Sequence, residues 1–174
     1  QSLFLDMFGD PVTNPKGWEK KSLAELATKM GSGATPKGGK SAYKEEGISL
    51  VRSMNVYDSR FKYDQLAFID EDQAKRLDNV KLLEKDVLFN ITGASVCRCT
   101  IVPDRILPAR VNQHVAILRA DQNVILPEFL MSTMISPHVK TSLLGVSSQG
   151  GATREAITKS QLEEFEIPVP DMEL

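Results

Sequence analysis

Residues 86–119, DVLFNITGASVCRCTIVPDRILPARVNQHVAILR, decide how the rest of the chain is read. Apolar and β-branched residues cluster between turn formers, which predicts strands over 87–92, 99–102 and 115–119, a tight turn at Gly93-Ala94 and an irregular loop pinned by Pro103 and Pro108. Three such strands make a core sheet. The connections between them carry Asn90, Thr92, Ser95, Arg98, Arg105, Arg110, Asn112, Gln113 and His114. Arg, Asn and Gln can make paired hydrogen bonds to base edges, and Arg also reaches phosphate, so the stretch suggests a β-scaffold holding a polar, locally basic face against nucleic acid. Loop polarity alone has a plainer explanation, because most such residues on a globular domain merely face water.

Outward from this stretch, 174 residues with 41% hydrophobic content suffice for one domain with a real core and are short for two. A formal net charge of −2 argues against indiscriminate polyanion binding, so any such contact must arise from charge asymmetry within the fold. That asymmetry is present. Lys29, Lys37, Lys40, Lys44, Arg52, Arg60 and Lys62 face only Glu45, Glu46 and Asp58 in residues 29–63, whereas residues 155–174 are strongly acidic. Cys97 and Cys99, one residue apart on a strand, are badly placed for a mutual disulfide and imply reduced thiols and a cytoplasmic setting. No run approaches a membrane span and no secretory signal is evident. Beginning at Gln1 rather than Met, the chain reads as part of something longer.

The remaining pattern is α+β. Residues 2–8 have the spacing of a helix end, too short to be stable alone. Ser22 and Glu25 form a capping-box pattern that predicts a helix through about Met30. Strands are expected at 48–52, 66–69 and 165–169, and helices at 70–77, 127–135 (with Pro127 in the first position) and 138–144. The Gly/Ser-rich segment 145–151 (GVSSQGG) predicts a mobile loop, and Thr158 with Gln161, or Ser160 with Glu163, would cap a last helix.

Enzymatic motifs fare poorly. Residues 34–41 (ATPKGGKS) fit a relaxed phosphate-loop pattern, but that motif needs a strand before it and a helix after it, and the sequence predicts a helix before and no room for one after. Cys97, Cys99, His114 and His138 lack the spacing of zinc ligands. No nucleophile elbow, nuclease carboxylate–lysine motif, adenine-methylation motif or dinucleotide turn is present.

Several pieces taken in order resemble the target recognition domain of type I restriction-modification specificity subunits. They are residues 3–12 (LFLDMFGDPV), Gly17-Trp18, 33–36 (GATP), 47–55 (GISLVRSMN), 86–95 (DVLFNITGAS), 110–114 (RVNQH), 127–130 (PEFL) and 156–170 (AITKSQLEEFEIPVP). One departure is Cys97, where the family usually has glycine. The resemblance implies a central twisted, mixed or antiparallel sheet flanked by short helices. Residues 1–11 would be the tail of a preceding conserved helix, 12–170 the recognition domain, and 171–174 the start of the following conserved region. It implies a non-catalytic, most naturally second, recognition domain that reads one half of a split site in double-stranded DNA. Partner methylase and restriction subunits would do the chemistry, and this piece would need no cofactor.

Residues and resemblance together nominate Lys37, Lys40, Arg52, Arg60, Arg98 and Arg110 for phosphate attraction. Asn55, Ser95, Asn112, Gln113, Gln149, Thr153 and Arg154 are nominated for base edges or positioning bonds. Asn112 and Gln113 belong to a motif shared across specificities and are therefore expected to hold the scaffold, which leaves the loops at 37–62 and 145–154 to read bases. The alternatives are the same domain within a fused restriction-methylation enzyme, a nucleotide-binding enzyme, or a protein-docking module.

Overall fold

A computed structural model describes residues 2–148 and 156–170. In chain order the elements are α1 (Ser2–Phe8), β1 (Lys20–Ser22), α2 (Leu23–Leu26), β2 (Ala27–Ser32), β3 (Ile48–Val51), β4 (Val56–Tyr57), β5 (Arg60–Phe61), β6 (Ala67–Ile69) and α3 (Glu71–Lys75). They continue with β7 (Val87–Asn90), β8 (Cys99–Ile101), β9 (Ala109–Val111), β10 (Val115–Ala120), α4 (Pro127–Met134), α5 (Pro137–Ser148), α6 (Lys159–Glu163) and β11 (Glu166–Pro168). The α+β expectation holds, with the strands divided among several small sheets.

The three strands of the opening stretch are neighbours in an antiparallel sheet of order β2-β10-β7-β8. A second sheet, β6-β3-β9, packs beneath it, with β3 and β9 parallel. The period of two along a strand explains how one sheet serves two cores. Val87, Phe89, Ala116, Leu118 and Ala120 point into a core shared with α2, α4, α5, α6 and β11. Leu88, Val115 and Ile117 point into the other, against Leu50, Val51, Ala109 and Val111 of the second sheet. Strands buried on both faces read as unbroken apolar runs, which is why this stretch was legible. Each large side chain taken from water there contributes about 1.5–3 kcal/mol.

α1 is held by aromatic packing: Phe4 and Phe8 meet Phe129 of α4 at 5.4 and 5.0 Å between ring centres, and Phe8 meets Trp18 at 5.9 Å. This contact supplies what a seven-residue helix lacks by itself.

Four local expectations are corrected. The capping box at Ser22 and Glu25 forms, yet its helix ends at Leu26 and residues 27–32 become β2, because pairing with β10 satisfies that backbone better than another helical turn. The Pro-pinned loop contains β9, created by its parallel pairing with β3. Gly145 to Ser148 continue α5 rather than starting a loop, and residues 149–151 of the expected loop lie outside the described residues. The 34–41 segment is fed by strand β2, not by a helix, but only a four-residue 3-10 turn, Gly39–Ala42, follows, so the helix N-terminus required for a phosphate loop is missing. Cys97 adopts φ +67°, the left-handed conformation glycine favours, so this thiol residue takes the shape that the resemblance assigns to glycine. Among the described residues no helix is long and apolar enough to cross a membrane.

Two helix caps tie stability to pH. Glu25 is held below the ordinary carboxylate value chiefly by the Ser22 hydroxyl, and Asp70, which caps α3, chiefly by the Gln73 backbone N–H. A carboxylate with a lowered folded pKa contributes stability that is complete above its ordinary value (4.5 for Glu25, 3.8 for Asp70) and lost as pH falls through the lowered one. Ser22→Ala is therefore expected to cost more at pH 7 than at pH 3. Thermal melts of both proteins at the two pH values check this, and an equal gap would contradict it.

Candidate nucleic-acid interface

Strand register brings distant polar segments to one end of the sheets. Asn90 at the end of β7 pairs with Val115 at the start of β10, whose next residue pairs with Ser32 at the end of β2. Phe89 pairs with Cys99, the first residue of β8. In the lower sheet Val51 pairs with Val111, so Arg52 and Asn112 leave their parallel strands side by side, and the Asn112 N–H donates to the Val51 carbonyl at 3.0 Å. Thr92 bridges to Ala156, which sets the beginning of the last described segment against the same rim. The rim thus gathers residues 33–35, 52–55, 90–98 and 112–114.

Hydrogen bonds lock these segments together. The Gly33 N–H donates to the Asn112 carbonyl at 3.1 Å, and the Thr35 hydroxyl donates to Gln113 Oε1 at 2.5 Å. Asn90 Nδ2 donates to the Ser53 carbonyl at 2.9 Å and to Ser95 Oγ at 3.1 Å. Thr92 Oγ1 and His114 Nδ1 lie 2.6 Å apart. Asn112 Oδ1 accepts from the His114 N–H, and Asn112 is buried. Scaffold duty, expected for Asn112, is the use its side chain has here. Gln113 keeps an exposed amide next to Thr35.

The nominated residues separate by exposure. Lys37, Lys40 and Arg60 are exposed and Arg98 is half-buried. Arg52 is half-buried, donates to the Gln65 carbonyl and lies over the Tyr43 ring at 5.3 Å. Asn55 is fully buried; its Oδ1 accepts from the Arg52 N–H, and its Nδ2 donates to the Lys62 carbonyl, so it builds the turn into β4 rather than offering an amide to a ligand. Arg110 departs from its expected place. It is 5% exposed, with Nε on the Ala74 carbonyl, one terminal nitrogen on the Ala109 carbonyl and the other 2.8 Å from Asp78. Its guanidinium is spent tying β9 to the segment around α3, and none of it faces the rim. Gln149, Thr153 and Arg154 lie outside the described residues.

The sequence reading overlooked the tyrosines that carry the arginines. Arg98 and Arg60 both lie over the Tyr57 ring, at 4.4 and 5.2 Å, and Arg105 lies over Tyr63 at 3.5 Å. A signal existed in the Tyr57-Asp-Ser-Arg60 turn, since a two-residue hairpin connection makes its flanking residues partners, as Tyr57 and Arg60 are. Among the described residues no group of three or more His, Cys, Asp or Glu side chains is arranged to hold a metal.

The chain is similar in sequence to a family of DNA specificity modules. Residues 15–174 match the family model described as type I restriction modification DNA specificity domain, and the chain belongs to that family. No curated protein matches the chain. Among solved structures, one described as the "structural basis underlying complex assembly and conformational transition of the type I R-M system" is similar over 99% of this chain and 39% of its own, with a TM-score of 0.67 and 19% identity. The HsdS subunit from Thermoanaerobacter tengcongensis gives a TM-score of 0.62 at 18% identity over 99% of this chain and 38% of its own. The type I S subunit from M. genitalium gives 0.52 at 14% identity over 87% and 34%. The chain therefore spans about two fifths of the first two structures, and the likeness is one of fold.

Proposed function

We propose that this chain is a non-catalytic recognition domain of a type I specificity subunit, reading one half of a split site in double-stranded DNA and directing partner methylase and restriction subunits. The observation that carries this is the rim: polar and cationic segments from four parts of the chain converge at one end of two packed sheets, while the opposing acids there are few or already paired. In this reading residues 12–170 form the recognition unit, 1–11 belong to the preceding conserved helix and 171–174 open the next conserved region. Lys37, Lys40, Arg52, Arg60 and Arg98 attract phosphate or base edges, Gln113 and Ser95 border them, and Gln149, Thr153 and Arg154 keep the base-reading role that the sequence nominates. Two buried cysteines that form no disulfide suit a reducing, cytoplasmic compartment.

Anisotropy titrations of the full-length protein with a labelled duplex at rising salt test the reading. Binding should weaken steeply with salt, and Arg52→Ala should lower the logarithmic slope by about one. Arg110→Met should leave the slope unchanged and instead cost about 1–3 kcal/mol of stability, since the carbonyls of Ala74 and Ala109 lose their donor. A lowered slope for Arg110→Met with an unaltered melting temperature would return Arg110 to the interface.

A further inference from the structure

We propose that Arg98, Tyr57 and Arg60 form a preassembled receptor for a bidentate acceptor edge on the duplex, either the O6/N7 edge of a guanine or a backbone phosphate, with Arg98 the contacting group and Tyr57 its positioning residue. The inference rests on the DNA-recognition reading and names the ligand chemistry of one part of the rim.

Backbone comes first. Arg98 sits between Cys97 and Cys99, both fully buried, and its carbonyl accepts from the Asn90 N–H at 2.9 Å while its own N–H donates to the Ser95 carbonyl at 3.1 Å. Its Cα therefore has little freedom. The facing hairpin is fixed as firmly: the Ser59 N–H donates to the Cys99 carbonyl at 2.9 Å, and Asp58 accepts from the Cys99 N–H at 3.3 Å. Two anchored segments set the Tyr57 ring beneath the Arg98 guanidinium at 4.4 Å. A guanidinium laid over an aromatic ring gives up side-chain freedom in advance and keeps its N–H edge available.

Electrostatics supplies the second step. Arg119 is paired with the buried carboxylate of Asp86, and Arg110 divides its donors between two backbone carbonyls and the exposed carboxylate of Asp78. Neither Arg98 nor Arg60 has such a partner among the described residues. The nearest acid on the hairpin, Asp58, is taken by Lys140 of α5 at 2.5 Å. Two cations over one ring, with the local acid neutralised from behind, favour a ligand that presents paired acceptors. Guanine and phosphate are the two that a duplex offers to arginine.

The full-length protein is incubated with duplexes carrying a randomised central segment, and bound fractions are sequenced at two salt concentrations. If guanine is the ligand, Arg98→Ala and Arg98→Lys both lose preference for G at one position by about fivefold or more, because a lysine cannot reproduce the fork, while the other positions are kept. If phosphate is the ligand, Arg98→Ala weakens all sequences alike and lowers the salt slope by about one, and Arg98→Lys restores the slope. Under either outcome Tyr57→Leu follows Arg98→Ala in direction, and Tyr57→Phe, which keeps the ring, behaves as wild type. Wild-type preference and slope in Arg98→Ala, Arg98→Lys and Tyr57→Leu together would overturn the receptor while leaving the recognition function standing. Absence of salt-sensitive duplex binding by the unaltered protein would overturn both.

Discussion

Arg119→Met is expected to lower the thermal unfolding midpoint by about 10 °C. Asp86 is fully buried at the base of β7, and Arg119 of β10 grips it with two nitrogens, Nε to Oδ1 at 2.7 Å and a terminal nitrogen to Oδ2 at 2.8 Å. The same terminal nitrogen donates to the Lys81 carbonyl at 3.0 Å, and Asp86 Oδ2 also accepts from the Leu83 N–H at 2.8 Å. Methionine preserves much of the side-chain length and leaves the carboxylate buried without its cation. Breaking such a pair from one side costs about 3–5 kcal/mol. The lower end applies because the Arg119 side chain is 25% exposed, and for a domain of this size each kcal/mol is worth about 2–4 °C. Adding Asp86→Asn to Arg119→Met should recover much of the loss, since the amide oxygen can still accept from Leu83 and no charge is left stranded. Calorimetry of the three variants decides the matter, and an Arg119→Met midpoint within 2 °C of wild type would remove the pair from the account. Hydrogen bonding to Asp86 raises the pKa of Arg119 further above its ordinary value, so its contribution is fully present at neutral pH and fades only at extreme alkalinity.

Gly33→Ala is expected to be the most damaging single methyl in the rim. A Cβ there would stand 1.8 Å from the Val111 carbonyl oxygen and 2.8 Å from its carbon, both backbone atoms that cannot swing away. Either β2 and β9 separate or the protein loses about 3 kcal/mol or more to overpacking. Separation would break the Gly33–Asn112 bond and draw Thr35 away from Gln113, so duplex binding should fall along with stability. Gly31 is the internal control. Only two residues earlier, within β2, a Cβ meets nothing within 4 Å and no unusual φ is required, so Gly31→Ala should be neutral or slightly stabilising, by less than about 1 kcal/mol. Chemical denaturation of the pair checks the contrast, and equal effects would mean that the close approach of the two strands is misplaced.

What could be read from residues alone followed the physics of burial. Residues 87–90 and 115–120 are covered on both faces, so apolar runs bounded by turns announced them. β2 was hidden because a capping box marks where a helix starts and says nothing of where it stops; Thr28, Lys29 and Gly31 become a strand only through their partner β10. β9 is three residues between Pro108 and Asn112, one of them an arginine, and only β3, far away in the chain, makes it a strand. The same blindness affected the interface. Arg110 carries the charge expected of a phosphate contact, and nothing local reveals that the segment around α3 covers it. Tyr57 was passed over because a single aromatic in a polar hairpin has no pattern of its own until β8 brings Arg98 over it. By contrast, Ser95, Arg98 and Gln113 were legible as loop residues because they fall between the predicted strands, whereas only the parallel pairing of β3 with β9 sets Arg52 beside Asn112.

Mapping methylated bases in the DNA of cells with and without the full-length gene tests most directly whether this rim selects a DNA sequence. The account predicts a recurrent split sequence whose methylation disappears with the gene, and which, in a strain carrying Arg98→Ala with Arg60→Ala, either relaxes in one half or loses methylation at every copy alike. An identical methylation map in all three strains would contradict it.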